Sequence, residues 1–487
     1  MKLSHVAELL KKNNLLTEVY GDADFNHISC DSRDVVAETL FFAKGVNFKK
    51  EFLDSAVQKG ACCYITDKDY NVDLPYIKTS NIRLAMPLIA RSFYDNPAGK
   101  YPLVGITGTK GKTTVAYMLK SILEEAYGDT QVGIISTNEA LSGGRKIEKS
   151  ATTPEALPLY NILNEFAHDK VKAAVMEVSS QGLQYNRVEY IDFDMGIFLN
   201  LSPDHVSPTE HKDFDEYKSA KKRMLTLCRR GIVNIDDKYS SEIIEAATCS
   251  ELYTVSIEKP ADFKAKDVLL TAKDSSFRVE GKYTNNAVFR LNMPGEFNIH
   301  NALAAIASAC LLGIDISTIQ RGLERTRISG RMEIFEKDGK TVIVDYAHNS
   351  LSLNALFDYV STFYPMSKTI CLFGCQGNKA LGRRKELPEV AGKKASYLVL
   401  TSDDPANEDP EAILDEIENN LPKTEIDYAR IVDREKAVKF AIEKANKGDV
   451  VILAGKGHEH TQQVGSQLIH YKGDIDCAKE ALGLLDS

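Results

Sequence analysis

A glycine-rich segment at residues 105–114 has the residue types and the spacing of a phosphate-binding loop. An apolar strand is predicted to begin at Leu103 and Val104, and a helix is predicted over residues 115–125. Backbone N–H groups of such a loop, together with the N-terminus of the next helix, form a nest for phosphate oxygens. The loop lysine contacts the outer phosphates, and the hydroxyl after it holds Mg²⁺. The predicted nucleotide-binding residues are Gly108, Thr109, Gly111, Lys112, Thr113 and Thr114.

The alternative interpretation of this segment is a plain glycine turn before a helix. Ile106 occupies the first glycine position of the strict Walker spacing, which favours this alternative. The predicted strand before the segment and the predicted helix after it favour the phosphate loop, because that chemistry requires both elements.

Glu177 is a second candidate for metal chemistry, because it lies at the end of a buried strand predicted over residues 172–178. Hard cations such as Mg²⁺ prefer carboxylate oxygens as ligands. The alternative is an ordinary carboxylate at a solvated strand end. The sequence therefore predicts one or more magnesium ions close to the phosphate loop.

Strands and helices that alternate along most of the chain must position these residues. Residues 1–98 mix short strands with helices and end in a turn-rich linker. Residues 99–328 predict a mostly parallel sheet, with antiparallel hairpins at residues 250–292. Residues 329–487 predict a doubly wound α/β domain, whose ligands are expected at the carboxyl ends of the strands. Its predicted strands lie at residues 341–345, 369–373, 397–401 and 450–454.

The composition is that of a folded protein of about three domains. The chain has 487 residues, of which 43% are hydrophobic and 26% are charged, and its net charge is −9. This acidic balance argues against a general nucleic-acid binder. The nine cysteines form no CxxC pair, which favours a reducing, cytoplasmic compartment. The longest apolar stretch, residues 302–314, is too short to span a membrane, and we expect neither a nucleic-acid nor a membrane partner.

The segment at residues 107–114, with the form TGTxGKTT, resembles the phosphate loop of the Mur ligases. These are ATP-dependent enzymes that add amino acids to a nucleotide-linked peptide. Segments similar to other motifs of that family follow in the family's order at residues 295–301, 329–333 and 345–348. The resemblance implies three α/β domains: a small UDP-binding domain, a central P-loop-type ATPase domain with a mostly parallel sheet, and a C-terminal Rossmann-like domain for the amino acid.

The resemblance also implies a two-metal catalytic centre that includes Lys112, Glu177, His205 and Lys221. Thr113 would hold one Mg²⁺ ion, and Glu177 and His205 would hold a second. Lys221 would be carbamylated; an ordinary lysine, with a pKa of about 10.4, is cationic and would repel the metal. The alternative for Lys221 is a solvated basic helix face, since other cationic residues surround it.

Further residues match substrate-binding positions of the family. On the adenine side and at the domain hinge these are Asn298, Asn301, Arg331, Asp345 and His348. For the muramoyl-peptide end they are Thr152, Thr153, Ser179 and Arg187. In the first domain Ser32 and, more weakly, Asn47 match the uridine entry, for which an ordinary hairpin is the alternative.

The incoming amino acid is expected in the third domain. Relatives that add diaminopimelate have an Asp-Asn-Pro-Arg element, whereas this chain reads Asp403-Asp404-Pro405-Ala406. The arginine is absent and an acid is added, and Glu459 supplies another acid. An anionic pocket favours an ammonium group over a carboxylate, which predicts L-lysine or a similar diamino acid such as ornithine. Lys379 stands where relatives carry an arginine for the α-carboxylate.

The resemblance therefore implies ATP-dependent ligation of a diamino acid to the D-Glu of UDP-MurNAc-L-Ala-D-Glu, in peptidoglycan precursor synthesis, by a monomer. Two alternatives stay open. One is a sibling ligase that acts on another carboxylate, such as a folylpolyglutamate or a secondary-metabolite peptide. The other is a non-catalytic nucleotide-binding paralogue, which the departures from family residues at Lys110, Gln181 and Lys379 favour.

Overall fold

Three β-sheets, each covered by helices, form the frame of the protein in a computed structural model. The structure describes residues 1–45, 48–203, 210–422 and 426–484. One sheet lies in each of the three predicted segments. The domain boundaries 1–98, 99–328 and 329–487 stay a prediction.

The first sheet has five strands in the order β1-β5-β4-β3-β2, and only the β1–β5 pair is antiparallel. Because β2 and β3 are parallel, the alternative of an ordinary hairpin around Ser32 is wrong. The strands are β1 (Leu16–Tyr20), β2 (His27–Ser29), β3 (Thr39–Ala43), β4 (Ala61–Thr66) and β5 (Tyr76–Thr79), and the helices are α1 (Leu3–Lys12), α2 (Lys50–Gln58) and α3 (Ile82–Phe93).

The second sheet has eleven strands in the order β16-β15-β14-β13-β12-β11-β6-β10-β7-β8-β9. Its central strands are parallel, and the antiparallel pairs lie at the two ends. The strands are β6 (Leu103–Thr107), β7 (Val132–Ile135), β8 (Ala140–Ser142), β9 (Arg145–Ile147), β10 (Ala173–Glu177), β11 (Phe193–Phe198), β12 (Cys228–Asn234), β13 (Glu251–Ser256), β14 (Phe263–Leu270), β15 (Ser275–Glu280) and β16 (Val288–Leu291). The helices are α4 (Lys112–Tyr127), α5 (Ala156–His168), α6 (Ser180–Gln184), α7 (Phe214–Lys222), α8 (Ser240–Glu245), α9 (Glu296–Leu311) and α10 (Ile316–Arg325).

Buried and exposed residues alternate along β15, as expected for a strand in the antiparallel edge of this sheet. Phe277 and Val279 are buried, whereas Arg278 between them is exposed, which is the pattern of a strand with one covered face. The predicted hairpins at residues 250–292 correspond to β14–β15 and β15–β16, while β13 is parallel to both of its neighbours.

The apolar stretch at residues 302–314 lies mainly in the buried helix α9. In the described part of the chain no helix is long and apolar enough to cross a membrane.

The third sheet has six strands in the order β17-β18-β22-β19-β20-β21, and it is parallel except for the β17–β18 pair. The strands are β17 (Glu333–Lys337), β18 (Lys340–Asp345), β19 (Thr369–Phe373), β20 (Tyr397–Leu400), β21 (Tyr428–Arg430) and β22 (Val450–Ala454), with a separate hairpin β23 (Thr461–Val464) and β24 (Gln467–His470). The helices are α11 (Ser350–Phe363), α12 (Arg383–Lys394), α13 (Pro410–Asn419), α14 (Arg434–Lys444) and α15 (Asp474–Ala481). Asp345, Asp403 and Gly455 lie at or after the carboxyl ends of β18, β20 and β22, and ligands bind at this edge of such sheets.

Candidate active site

The phosphate loop joins β6 to α4, as the sequence predicts. Gly111 caps α4 with φ +85°, and a Cβ atom at this position would lie 2.3 Å from Asn301 Oδ1. Glycine is therefore required both by the backbone conformation and by space. The Lys112 ammonium donates to the carbonyl oxygens of Gly108 at 2.9 Å and Thr109 at 3.3 Å. The loop is thus built around a cation at the start of a helix.

Glu177 lies at the end of β10, adjacent to β6, and its side chain is fully buried. Thr113 Oγ1 donates to Glu177 Oε1 at 2.9 Å. Thr137 donates to the same carboxylate from its backbone N–H at 2.7 Å and from its hydroxyl at 3.1 Å. Glu177 is thus not a solvated strand end. A buried carboxylate beside a hydroxyl offers the hard oxygen ligands that Mg²⁺ prefers, so these residues fit the predicted metal.

Lys221 lies on α7 and is only 2% exposed. Its Nζ donates to the Gly108 carbonyl at 2.8 Å and lies 4.8 Å from the centre of the Tyr217 ring, one turn earlier. Lys218 and Lys222, in contrast, both pair with Glu242 at the surface. The alternative of a solvated basic face therefore holds for its neighbours and is wrong for Lys221, which faces the phosphate loop.

Two predicted residues, His205 and Asn47, lie outside the described residues. Within the described ranges no group of three His, Cys, Asp or Glu side chains is arranged to hold a metal ion. The described residues therefore place Thr113, Glu177 and Lys221 around the loop, and the position of the proposed histidine ligand stays a prediction.

The residues predicted for the muramoyl-peptide end meet beside Glu177. Thr153 Oγ1 donates to the Glu177 carbonyl at 3.0 Å and accepts from the Ser179 N–H at 2.9 Å. Arg187 donates to the Thr153 carbonyl at 3.0 Å and pairs with Glu155 at 2.7 Å. Thr152 Oγ1 lies 3.2 Å from Thr137 Oγ1, which contacts the Glu177 carboxylate. These contacts bring the threonine pair and the Glu177 carboxylate into one wall, which we call the substrate wall.

A cavity of about 780 Å³ lies between this wall, the phosphate loop and the third domain. The wall and loop residues Lys112, Glu177 and Lys221 line it from the central domain. From the third domain it is lined by Arg331, Tyr346, His348, Gln376, Lys379, Ala380, Arg383, Asp404, Gly455 and Glu459. Arg383 is a second cation near Lys379 that sequence reasoning missed.

A second cavity, of about 1170 Å³, lies between the first sheet and α5. Ser32 lines it together with Lys44, Phe48 and Glu155. Lys44 pairs with Glu155, the same carboxylate that Arg187 binds. Ser150 lines both cavities. The two spaces are therefore adjacent, which suits a long ligand that extends from the first domain to the phosphate loop.

The predicted adenine-side residues Asn298 and Asn301 are buried at the start of α9. Asn298 Nδ2 donates to the Pro294 carbonyl at 2.8 Å, and Asn301 Nδ2 donates to Asn298 Oδ1 at 3.4 Å. Asn301 also lies against Gly111. Asn301 thus packs against the phosphate loop and Asn298 holds Asn301 in place, while the predicted contact of both residues with adenine stays a prediction.

The hinge residues pack at the third-domain side of the cavity. The Arg331 guanidinium lies 4.5 Å from the centre of the Tyr346 ring. Asp345 accepts a hydrogen bond from the Met332 N–H at 2.8 Å. Burial raises the pKa of Asp345, while the charge of Arg331 opposes this rise. His348 Nδ1 lies 2.8 Å from the Tyr346 carbonyl oxygen.

The predicted acidic pocket contains a lysine that sequence reasoning missed. Lys456 is 1% exposed, and its Nζ lies 2.6 Å from Glu459, 2.8 Å from Asp404 and 3.7 Å from Asp403. Burial raises the pKa of Asp403 to about 6, against the opposing charges of Lys456 and Arg434. The pocket stays anionic, with three carboxylates around one ammonium. Lys456 lies three residues before Glu459 in the sequence, but only the fold shows that it enters the acidic cluster.

Comparison with known proteins shows the class to which this fold and site belong. Residues 106–309 match the Mur ligase middle domain, and residues 330–457 match the Mur ligase glutamate ligase domain. The chain belongs to the Mur ligase family of ATP-dependent ligases. The expectations of a three-domain α/β fold and of an enzyme are confirmed.

Curated relatives align over nearly the whole chain. The UDP-N-acetylmuramoyl-L-alanyl-D-glutamate–L-lysine ligase of Streptococcus mutans is 38% identical over 464 residues, covering 94% of this chain and 92% of its own. The corresponding 2,6-diaminopimelate ligase of Caldanaerobacter subterraneus is 36% identical and covers 95% of both chains. These relatives differ in the amino acid that their names give.

Solved structures share the fold at lower identity. A UDP-N-acetylmuramoyl-L-alanyl-D-glutamate–2,6-diaminopimelate ligase gives a TM-score of 0.65 at 24% identity, covering 94% of this chain and 95% of its own. The MurF ligase of Thermotoga maritima, in complex with ADP, gives 0.62 at 19% identity, covering 94% and 98%. At identities of 24% and 19%, these similarities show a shared fold alone.

Proposed function

We propose that this enzyme joins L-lysine to the D-Glu of UDP-MurNAc-L-Ala-D-Glu with hydrolysis of ATP, in peptidoglycan precursor synthesis. The observation that carries the choice of amino acid is the cluster of Asp403, Asp404 and Glu459 around the single ammonium of Lys456. The cluster has a net negative charge, and it favours a substrate with a side-chain ammonium over one with a distal carboxylate. The name of the Streptococcus mutans relative supports the same choice.

The other end of the amino acid requires a cation for its α-carboxylate. Lys379 and Arg383 both line the cavity near the acidic cluster. Arginine binds a carboxylate through two parallel hydrogen bonds, whereas lysine acts as a point charge. We therefore assign Arg383 as well as Lys379 to the α-carboxylate. Ornithine, which is one methylene shorter, is the nearest competitor for the same pocket.

The reaction proceeds in two steps in this proposal. The acceptor carboxylate of D-Glu attacks the γ-phosphorus of ATP, the bond to the bridging oxygen breaks, and ADP leaves with an acyl phosphate formed. The neutral α-amine of lysine then attacks the acyl carbon, the C–O bond to phosphate breaks, and the amide forms as the nitrogen loses one proton, which leaves with the phosphate as HPO4²⁻. Lys112 offsets charge on the transferred phosphate, and the cavity excludes water from the acyl phosphate.

Thr113 and Glu177 would hold one Mg²⁺, and Glu177 with His205 a second. When bound, the metal screens the repulsion between phosphate and carboxylate. Lys221 faces the same loop from α7. Addition of carbon dioxide to its amine, with loss of two protons from the ammonium form, would exchange a buried cation for an anionic carbamate that can ligate the metal, and we propose this modification.

The uridine end of the substrate is assigned to the cavity that Ser32 lines, with Asn47 as a further contact. The adjacency of the two cavities at Ser150 supports one extended substrate. A nucleotide-sugar fills a space of about 1170 Å³ better than a small carboxylate would. Thermal protection by UDP separates this proposal from a sibling ligase for another carboxylate, which should show no protection. A monomeric, cytoplasmic enzyme stays a prediction.

Phosphate release measured with ATP, Mg²⁺ and UDP-MurNAc-L-Ala-D-Glu tests the proposal. L-Lysine should give the highest kcat/KM, ornithine less, and diaminopimelate the least. Mass spectrometry of the product should show one added lysine. A preference for diaminopimelate would overturn the amino-acid assignment, and no release with any of the three would overturn the substrate assignment and favour a non-catalytic paralogue.

A further inference from the structure

Lys149 lies between β9 and the threonine pair of the substrate wall, and it lines the cavity of the phosphate loop. Its Nζ donates to the carbonyl oxygens of Thr137 at 3.0 Å and Ala151 at 3.4 Å. An ammonium group has three N–H donors. Two carbonyl partners therefore hold Lys149 in place and leave one donor for a further acceptor.

The hydrogen bonds of Lys149 repeat those of Lys112, on the far side of a different threonine from Glu177. Each ammonium is held by two backbone carbonyls. Each is also linked to Glu177 by one threonine: Thr113 follows Lys112 and donates to Glu177, while Thr137 both accepts from Lys149 and donates to Glu177. The site thus has two ammonium groups, each linked through one threonine to the same buried carboxylate.

Lys149 differs in its partners from Arg187 and Lys456, which carboxylates neutralise. Arg187 pairs with Glu155, and Lys456 pairs with Asp404 and Glu459. In the parts of the chain that the structure describes, no carboxylate oxygen lies within 4.0 Å of Lys149 Nζ. Burial lowers the pKa of Lys149 in spite of the opposing charge of Glu177, so an anion that binds there would stabilise the ammonium.

We propose that Lys149 binds the acceptor carboxylate of the substrate, the group that receives the phosphate. This inference rests on the proposed function, because it requires a substrate carboxylate beside Thr152. The Thr152 hydroxyl lies 3.2 Å from that of Thr137, whose carbonyl holds Lys149. The reaction brings together two anions that repel each other. Lys112 offsets the charge of the transferred phosphate. Lys149 offsets the charge of the acceptor carboxylate and fixes its position for attack.

Binding by calorimetry to Lys149→Met tests the contact. The ligands are UDP-MurNAc-L-Ala-D-Glu and two analogues, each with one of the two D-Glu carboxylates replaced by a carboxamide. The wild-type enzyme should bind the analogue that lacks the acceptor carboxylate about ten- to hundredfold more weakly than the natural ligand, as expected for a charged hydrogen bond. Lys149→Met should lose this discrimination, and Lys149→Arg should keep part of it.

The controls separate a lost contact from a lost fold. Lys172→Met removes the same charge from an exposed position before β10 and should keep the full discrimination. ATP affinity should be unchanged in Lys149→Met, because Lys112 and its carbonyl partners are intact. Equal discrimination in wild type and Lys149→Met would overturn the inference while leaving the function in place. A wild type that fails to bind or turn over the natural ligand would instead overturn the proposed function, and the inference with it.

Discussion

The KM for L-lysine should rise as the pH falls from 7.5 to 5.5, because Asp403 then takes up a proton. Burial raises the pKa of this carboxyl to about 6. At pH 7.5 nearly all of it is ionised, whereas at pH 5.5 about one quarter is ionised. If the substrate ammonium binds the ionised pocket, the KM should increase about fourfold over this range. The KM rises as the pH falls because protonation of Asp403 removes a negative charge that attracts the substrate ammonium.

The measurement is the initial rate of phosphate release with varied L-lysine, at saturating ATP and UDP-MurNAc-L-Ala-D-Glu. The KM for ATP at each pH serves as the internal control, because the phosphate loop follows β6 of the second sheet whereas Asp403 follows β20 of the third. Asp403→Asn should show a raised KM for lysine that changes little with pH. A KM for lysine that stays constant from pH 7.5 to 5.5, in an enzyme whose ATP binding is normal, would refute the role assigned to this carboxylate.

Three further changes test the phosphate loop and the metal site. Gly111→Ala should lower Tm more than Gly128→Ala, since both glycines have positive φ but only at residue 111 does the new methyl group meet Asn301; equal melting curves would contradict this. Glu177→Gln should raise the Mg²⁺ concentration for half-maximal activity by about tenfold or more, as a magnesium titration would show. Lys221→Gln should abolish phosphate release, and bicarbonate should restore activity to carbon-dioxide-depleted wild type but not to this variant.

Local sequence predicts the elements that carry the chemistry. The phosphate loop lies between β6 and α4, and Glu177 ends β10, because apolar runs and the glycine pattern specify strand, loop and helix without reference to distant residues. The predicted ends of strands and helices differ from the observed ends by only a few residues. The helix predicted over 115–125, for example, extends over Lys112–Tyr127 in the structure. A helix end depends on capping and packing contacts that no periodicity records.

Contacts across the sheet are less accessible to sequence reasoning. Lys456 and Lys149 are both visible in the sequence, but nothing local shows that one enters an acidic cluster and the other a substrate wall. Lys149 and its hydrogen-bond partner Thr137 are 12 residues apart in the sequence, and Lys456 and its partner Asp404 are 52 residues apart. The Lys149 contact depends on the strand order β7-β8-β9, and the Lys456 contact depends on the order β22-β19-β20 in the third sheet.

The amino-acid sequence by itself determined that this protein has a phosphate loop followed by a helix, a carboxylate at a strand end, and an acidic element in the third segment, because these features depend on residues that are close together in the chain. The tertiary structure alone decided which charges are left unbalanced. It buries Lys221 against the loop, neutralises part of the acidic pocket with Lys456, and leaves Lys149 without a carboxylate partner among the described residues. The reason is physical: the energy of a charge depends on its solvation and on its neighbours in space, and both are set when the sheets and helices pack together.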